Sequence, residues 1–137
     1  MNCCCRGGTP GRTGPGEFHV PHGIWVTDDE RVLVADSRNG RVQAFDTAGK
    51  FLHQWDGLHY PCDLYVDGEI CYLAEMGSLQ HHAGGAFISI RDLDGRVLSS
   101  WGAPKDAGAH ALWVDADGSI YVNQNLRGER ILKYRRV

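Results

Sequence analysis

The sequence lacks the features of a membrane or secreted protein. No run of about 18 apolar residues occurs in the chain, so we expect no membrane-spanning helix. Residues 1–16 lack the apolar centre of a secretory signal peptide, and their Gly, Pro, Arg and Cys content is typical of a flexible leader. We therefore predict a cytoplasmic protein with no membrane partner.

The chain also has no excess of positive charge. Its 14 Lys and Arg residues are outnumbered by 17 Asp and Glu residues, for a formal net charge of −3. Proteins that bind nucleic acid through phosphate contacts are normally strongly basic, so we expect no nucleic-acid partner. Hydrophobic residues make up 42% and charged residues 23% of the sequence, which is typical of a folded globular domain.

Paired cysteine motifs are missing as well. Of the five cysteines, Cys3, Cys4 and Cys5 are consecutive, whereas Cys62 and Cys71 lie in apolar segments. An odd count without CxxC pairs disfavours both a structural zinc site and a disulfide framework. We predict a reduced chain in which Cys62 and Cys71 are buried thiols. P-loop, GxGxxG and GxSxG motifs do not occur either.

Three segments of the chain repeat one another. The first is Val-Pro-His-Gly-Ile-Trp-Val (20–26), the second Tyr-Pro-Cys-Asp-Leu-Tyr-Val (60–66) and the third Gly-Ala-His-Ala-Leu-Trp-Val (108–114). The similarity continues downstream in register, for example between residues 46–52 and 92–98. Repeats of this period indicate an array of one structural unit.

Each repeat consists of short apolar runs separated by Asp, Gly and Asn, which predicts strands and tight turns rather than helices. Four short strands per repeat are typical of a β-propeller blade. We predict an all-β fold, a partial propeller of about three blades at 18–56, 58–102 and 108–137 in a domain of 17–137. The predicted strands are 23–27, 31–36, 41–46 and 51–55 in blade one, 63–67, 70–75, 86–92 and 97–101 in blade two, and 111–115, 119–123 and 130–135 in blade three.

The first repeat carries the most specific motifs, which are Gly14–Phe18, Pro21–Ile24, Val34–Asp36 and Asn39–Asp46. They resemble the NHL propeller repeat and, more narrowly, the six-bladed peptidyl-α-hydroxyglycine α-amidating lyases. The resemblance covers residues 14–137 and implies that the chain corresponds to the carboxy-terminal half of such a propeller. It also implies zinc-dependent C–N bond cleavage that releases a peptide amide and glyoxylate.

Two histidines are the main candidate site residues. His22 and His110 occupy the same position of the repeat, just before an inner strand, and equivalent positions of a propeller converge on its central channel. The resemblance implies that both are zinc ligands, and that the third zinc His and the catalytic Arg and Tyr lie in blades outside this chain. We therefore expect the isolated chain to be catalytically incomplete. The alternative is that both are hydrogen-bonded loop histidines.

Other metal ligands are weaker candidates. Cys62 lies at the same repeat position in blade two and is a possible thiolate ligand, although a cysteine there is more often a small buried side chain. The Asp-rich segments 92–95 and 115–118 resemble the start of a calcium loop but lack the later acidic ligands. We interpret both as hairpin turns and expect no calcium site.

Three blades cannot close a six-bladed ring. We therefore expect the first and last sheets to leave apolar faces uncovered, and the isolated chain either to pair with a second copy that completes the ring or to aggregate through its open edges. The alternative function is a non-catalytic propeller that serves binding or assembly, with a peptide-like or small-molecule ligand on its loops.

Overall fold

The computed structural model describes residues 9–10, 13–77, 86–102, 108–125 and 130–135. Most of the leader predicted at 1–16 therefore lies outside the described residues. Strand β1 (Thr9–Pro10) pairs in parallel with strand β2 (Glu17–Phe18). Within these ranges, no helix is both long and apolar enough to cross a bilayer.

The all-β prediction is confirmed, with one antiparallel sheet for each sequence repeat. Blades one and two have four strands, and three strands of blade three are described. Blade one consists of β3 (Pro21–Val26), β4 (Arg31–Asp36), β5 (Arg41–Asp46) and β6 (Phe51–Trp55). Blade two consists of β7 (Pro61–Asp67), β8 (Ile70–Glu75), β9 (Phe87–Asp92) and β10 (Val97–Gly102). Blade three contains β11 (Gly108–Val114), β12 (Ile120–Asn125) and β13 (Ile131–Tyr134).

The inner strands begin earlier than predicted. They start at Pro21, Pro61 and Gly108, two or three residues before the apolar runs at 23, 63 and 111. The reason is a register irregularity near the start of each inner strand, for example between Pro21 and Ile24. A β-bulge of this kind interrupts the alternation of side chains, so the first residues pair with the next strand without showing an apolar pattern.

An inner strand that lies between two blades can bury apolar side chains on both of its faces. In blade two, Leu64 and Val66 are 2% and 7% exposed because they pack against blade one. The equivalent residues of blade one, Ile24 and Val26, are 65% and 58% exposed. We call this surface the end face of blade one. The predicted uncovered faces are therefore present, and Trp113 of blade three is likewise 58% exposed.

Four side chains from the sequence motifs of the first repeat form a polar network around a buried carboxylate; they are Asp36, Asn39, Arg41 and Gln43. The Asp36 carboxylate is fully buried and accepts hydrogen bonds from Arg41 Nε at 2.8 Å, Asn39 Nδ2 at 2.7 Å and Gln43 Nε2 at 3.1 Å. Arg41 is also buried, so the two charges lie together out of water. Such a pair is tolerated because further hydrogen bonds satisfy both partners.

The same network holds the segment that enters blade one. Arg41 donates from Nη2 to the carbonyls of Gly14 at 2.9 Å and Glu17 at 2.8 Å. Asp36 Oδ1 accepts the amide of His19 at 2.8 Å. The motif residues therefore fix the chain just before Pro21, where the inner strand β3 begins.

We expect Asp36→Ala to lower the free energy of unfolding by about 3–5 kcal/mol, because the buried Arg41 guanidinium would lose its counter-ion. Urea denaturation measures this change. As a matched control, Asp67→Asn alters an exposed carboxylate at the end of β7 and is expected to shift stability by less than about 0.5 kcal/mol. Equal effects of the two substitutions would contradict a structural role for the Asp36 network.

Candidate functional site

His22 and His110 meet in the structure although blade two separates their blades. Their ring centroids are 4.9 Å apart, with the ring planes nearly perpendicular at 87°. Both lie near the start of an inner strand, β3 for His22 and β11 for His110. The repeat position thus brings the two predicted ligands together on one side of the sheet array.

A backbone carbonyl sets the tautomer of His22. Its Nδ1 lies 2.8 Å from the carbonyl oxygen of Cys62. Because a carbonyl can only accept, Nδ1 carries the hydrogen, and Nε2 of the neutral ring is left with a free lone pair. Metal-bound histidines commonly donate their other ring N–H to a carbonyl in this way.

The inner strands approach so closely here that only glycine fits beside His22. A Cβ built on Gly23 would lie 2.8 Å from the Cys62 carbonyl oxygen and 2.9 Å from Asp63 Cα. On the other side of blade two, Asp63 Oδ2 accepts the amide of Leu112 at 3.0 Å. Blade two is therefore joined to both neighbours within two residues of the histidine position.

Cys62 contributes its carbonyl to the site, whereas its side chain is held elsewhere. The side chain is buried, and Sγ donates to the carbonyl of Tyr60 at 3.4 Å. Burial raises the pKa of the Cys62 thiol, which favours the protonated form over the thiolate that binds metals. Within the described part of the chain, no cluster of three His, Cys, Asp or Glu side chains is arranged to hold a metal ion.

A row of aromatic rings lies three residues further along the inner strands. Trp25 and Tyr65 have centroids 4.9 Å apart, and Tyr65 and Trp113 have centroids 4.8 Å apart, both edge to face. These residues share one repeat position, so the row crosses all three blades. Edge-to-face aromatic pairs each contribute about 0.5–1.5 kcal/mol beyond their burial. The alignment of the repeats shows an aromatic residue at this position in all three blades, whereas the composition alone does not reveal it.

The remaining acidic candidates form turns. Asp92 Oδ1 accepts the amides of Asp94 and Arg96, at 3.1 and 2.9 Å. Asp115 Oδ1 accepts those of Asp117 and Ser119, at 3.0 and 2.9 Å. Both carboxylates therefore close hairpin turns, as the sequence indicated.

Comparison with known sequences identifies the repeat. The NHL repeat model matches residues 18–45. The chain contains an NHL repeat. NHL repeat-containing protein 3 of Homo sapiens is 42% identical over 45 residues, and its Mus musculus counterpart is 44% identical over 45 residues. The alignment covers 32% of this chain and only 13% of the human protein.

The fold of this chain is similar to that of several solved structures. Hydrazine synthase of Kuenenia stuttgartiensis superposes with a TM-score of 0.69 at 16% identity, over 84% of this chain and 34% of that chain. Virginiamycin B lyase of Staphylococcus aureus gives 0.61 at 15% identity, over 85% and 41%. At such low identity these similarities establish the propeller-like fold alone. The chain spans less than half the length of either structure.

We expect Gly23→Ala to lower the free energy of unfolding by about 1–3 kcal/mol, because its methyl group would push β3 away from the Cys62 carbonyl. Thermal unfolding and the ring signals of His22 in NMR spectra both report this change. Gly102→Ala is the control, since its Cβ would meet one ordinary contact at 3.9 Å. A Gly23→Ala protein as stable as the Gly102→Ala protein would refute the close approach of the strands.

Proposed function

We propose that this NHL chain supplies half of a six-bladed ring that binds zinc through His22 and His110 and acts as a C–N lyase. The observation that supports the proposal is the contact between the two histidines, combined with the hydrogen bond that leaves Nε2 of His22 free. Two neutral imidazoles suit zinc, which prefers nitrogen and sulfur ligands. A catalytic zinc site normally has three protein ligands, so a further ligand is needed.

A second copy is the proposed source of that ligand. The end face of blade one exposes Ile24 and Val26, at a position that is buried in blades two and three. Blade three exposes Trp113 on its opposite face. Two copies joined head to tail through these faces would bury both and close on each other. The ring would then contain two copies of His22 and two of His110 around one axis.

The reaction proposed is the one that the resemblance to amidating lyases implies. Zinc, when bound, would lower the pKa of a substrate hydroxyl. In a peptidyl-α-hydroxyglycine, loss of the hydroxyl proton allows the carbon–nitrogen bond to break, and the nitrogen takes up a proton to give the peptide amide and glyoxylate. Two solved propellers of similar fold are also named lyases, for streptogramin B and virginiamycin B.

In this proposal the chain's own residues position ligands. The Cys62 carbonyl orients the His22 ring, and Gly23 allows the close approach that the hydrogen bond requires. The resemblance assigns no catalytic Arg or Tyr to this chain. We therefore expect a measurable lyase rate only from a ring whose other blades supply those groups. A ring that binds metal without activity would instead favour the alternative, a propeller for binding or assembly.

We expect His22→Ala and His110→Ala each to weaken zinc binding by at least about tenfold, measured by isothermal titration, because each removes one ligand. Cys62→Ala keeps the carbonyl that orients His22 and removes only the thiol, so it should leave the affinity unchanged. His59→Ala removes an exposed histidine elsewhere and controls for nonspecific uptake. Equal zinc binding by all four variants would remove the proposed site, whereas a loss in Cys62→Ala alone would identify the thiol as a ligand.

We expect sedimentation equilibrium to give a species of twice the 15.1 kDa chain mass. The double substitution Ile24→Asp and Val26→Asp should convert it to monomer, because it places two charges on the end face that the partner would bury. Val97→Asp changes another exposed apolar residue, on the outer strand of blade two, and should leave the dimer intact. A monodisperse monomer in the unsubstituted protein would refute ring completion by a second copy.

A further inference from the structure

The loop between β4 and β5 contains an Asn-Gly pair, Asn39-Gly40. The chain has four asparagines, and the other three are followed by Cys, Gln and Leu. An asparagine that precedes glycine is chemically labile, because glycine has no Cβ to hinder attack of its amide nitrogen on the asparagine side chain. Asn39 is half-buried at the end of a short 3-10 helix (Ser37–Asn39), and Gly40 follows in the left-handed conformation, at φ 62°. The most labile asparagine of the chain thus lies within the motif of the first repeat.

The fold holds both reacting groups of this pair in hydrogen bonds. The leaving group is the Asn39 amide, whose Nδ2 donates to the buried Asp36 carboxylate at 2.7 Å. The attacking group is the Gly40 amide nitrogen, which donates to the Ser37 carbonyl at 3.1 Å. Attack requires both hydrogen bonds to open, because the nitrogen must lose its proton and the side chain must turn towards it. A 3-10 helix has poorer hydrogen-bond geometry than an α-helix, so this turn can open locally while the blade stays folded.

The Asp36 carboxylate depends on the hydrogen of the Asn39 amide. Its Oδ2 accepts hydrogen bonds from the side chains of Asn39, Arg41 and Gln43. Its Oδ1 accepts the backbone amide of His19. An ionised carboxylate at position 39 would have no hydrogen to donate and would repel the Asp36 carboxylate. An acid at this position would therefore oppose the network that holds the segment before the inner strand β3.

Gly40 also joins this loop to the segment that enters blade two. Its carbonyl accepts the amide of Leu58 at 2.9 Å, and a Cβ at Gly40 would lie 2.7 Å from the Leu58 carbonyl oxygen. Leu58 is itself buried in the core between blades one and two. A longer backbone between residues 39 and 40 would displace Gly40 from this contact. The pair therefore contacts the segments before both β3 and β7, the strands that carry His22 and the Cys62 carbonyl.

We propose that Asn39 is a site of spontaneous deamidation, and that the reaction is an irreversible switch that loosens the segment before His22. The Gly40 nitrogen forms a bond to Cγ of Asn39, the Cγ–Nδ2 bond breaks, and the displaced amide leaves as ammonia with the proton of the Gly40 nitrogen. Water then adds across one of the two C–N bonds of the resulting succinimide, which gives aspartate or isoaspartate. Aspartate places a negative charge against Asp36, and isoaspartate adds a methylene to the backbone before Gly40.

Peptide mapping by mass spectrometry tests the reaction in the full chain, incubated at mildly alkaline pH. In the folded protein we expect conversion at Asn39 to be at least about tenfold faster than at Asn123, which precedes glutamine. In urea it should be at least about tenfold faster again, because the hydrogen bonds to Asp36 and Ser37 are absent there. Equal conversion at Asn39 and Asn123, equal rates in the folded and unfolded chain, or no conversion of the folded protein while the unfolded chain reacts would overturn the proposal.

A pair of variants tests the consequence of the reaction. Asn39→Asp reproduces the aspartate product, whereas Asn39→Ala removes the same donor without adding charge. We expect Asn39→Asp to have the lower urea midpoint and the weaker nuclear Overhauser effects between the His22 and His110 rings, because its carboxylate faces Asp36. Asn123→Asp makes the same chemical change at an exposed position and should alter neither measurement. An unfolded Asn39→Asp protein beside a folded Asn39→Ala protein supports the proposal, and equality of these two variants in either measurement overturns it.

Discussion

The packing of blade against blade is the constraint on which the structure depends. The inner strand of blade two packs on both neighbours, with Leu64 and Val66 in the core shared with blade one and Tyr65 against the core shared with blade three. The close contact of β3 with β7 at Gly23 brings His22 to the Cys62 carbonyl. In each of the first two blades, a buried carboxylate accepts a backbone hydrogen bond from the segment that precedes the inner strand. Asp36 accepts the amide of His19 at 2.8 Å, and Glu75 accepts the amide of His59 at 2.7 Å. A side chain at the start of an inner strand is therefore placed by backbone contacts on both sides.

The blades differ at some equivalent positions of the repeat, either in residue type or in the exposure of the side chain. At the histidine position, blades one and three have His22 and His110, whereas blade two has the buried Cys62 and uses its backbone as an acceptor. The apolar pair that is buried in blades two and three is exposed in blade one. One repeated scaffold thus supports a pair of histidines at the starts of β3 and β11 and an apolar end face on blade one.

Much of the fold followed from the sequence because the period, the turn residues and the alternation of apolar residues all agree. The strands of blade one after the first were predicted to the residue, and the convergence of His22 on His110 followed from their shared repeat position. The early starts of the inner strands could not be predicted from the sequence, because β-bulges interrupt the alternation of apolar and polar side chains there. The role of the Cys62 carbonyl could not be predicted either, because a backbone acceptor has no sequence signature.

The central claim is that the repeat places His22 beside His110 with the Nδ1–H of His22 directed to a carbonyl. NMR of the metal-free protein tests it most directly, through nuclear Overhauser effects between the two rings and the ¹⁵N shifts of His22. Centroids 4.9 Å apart predict cross-peaks between ring protons, and the hydrogen bond predicts a protonated Nδ1 with an unprotonated Nε2. Absence of cross-peaks together with a neutral His22 ring protonated at Nε2 would contradict the account.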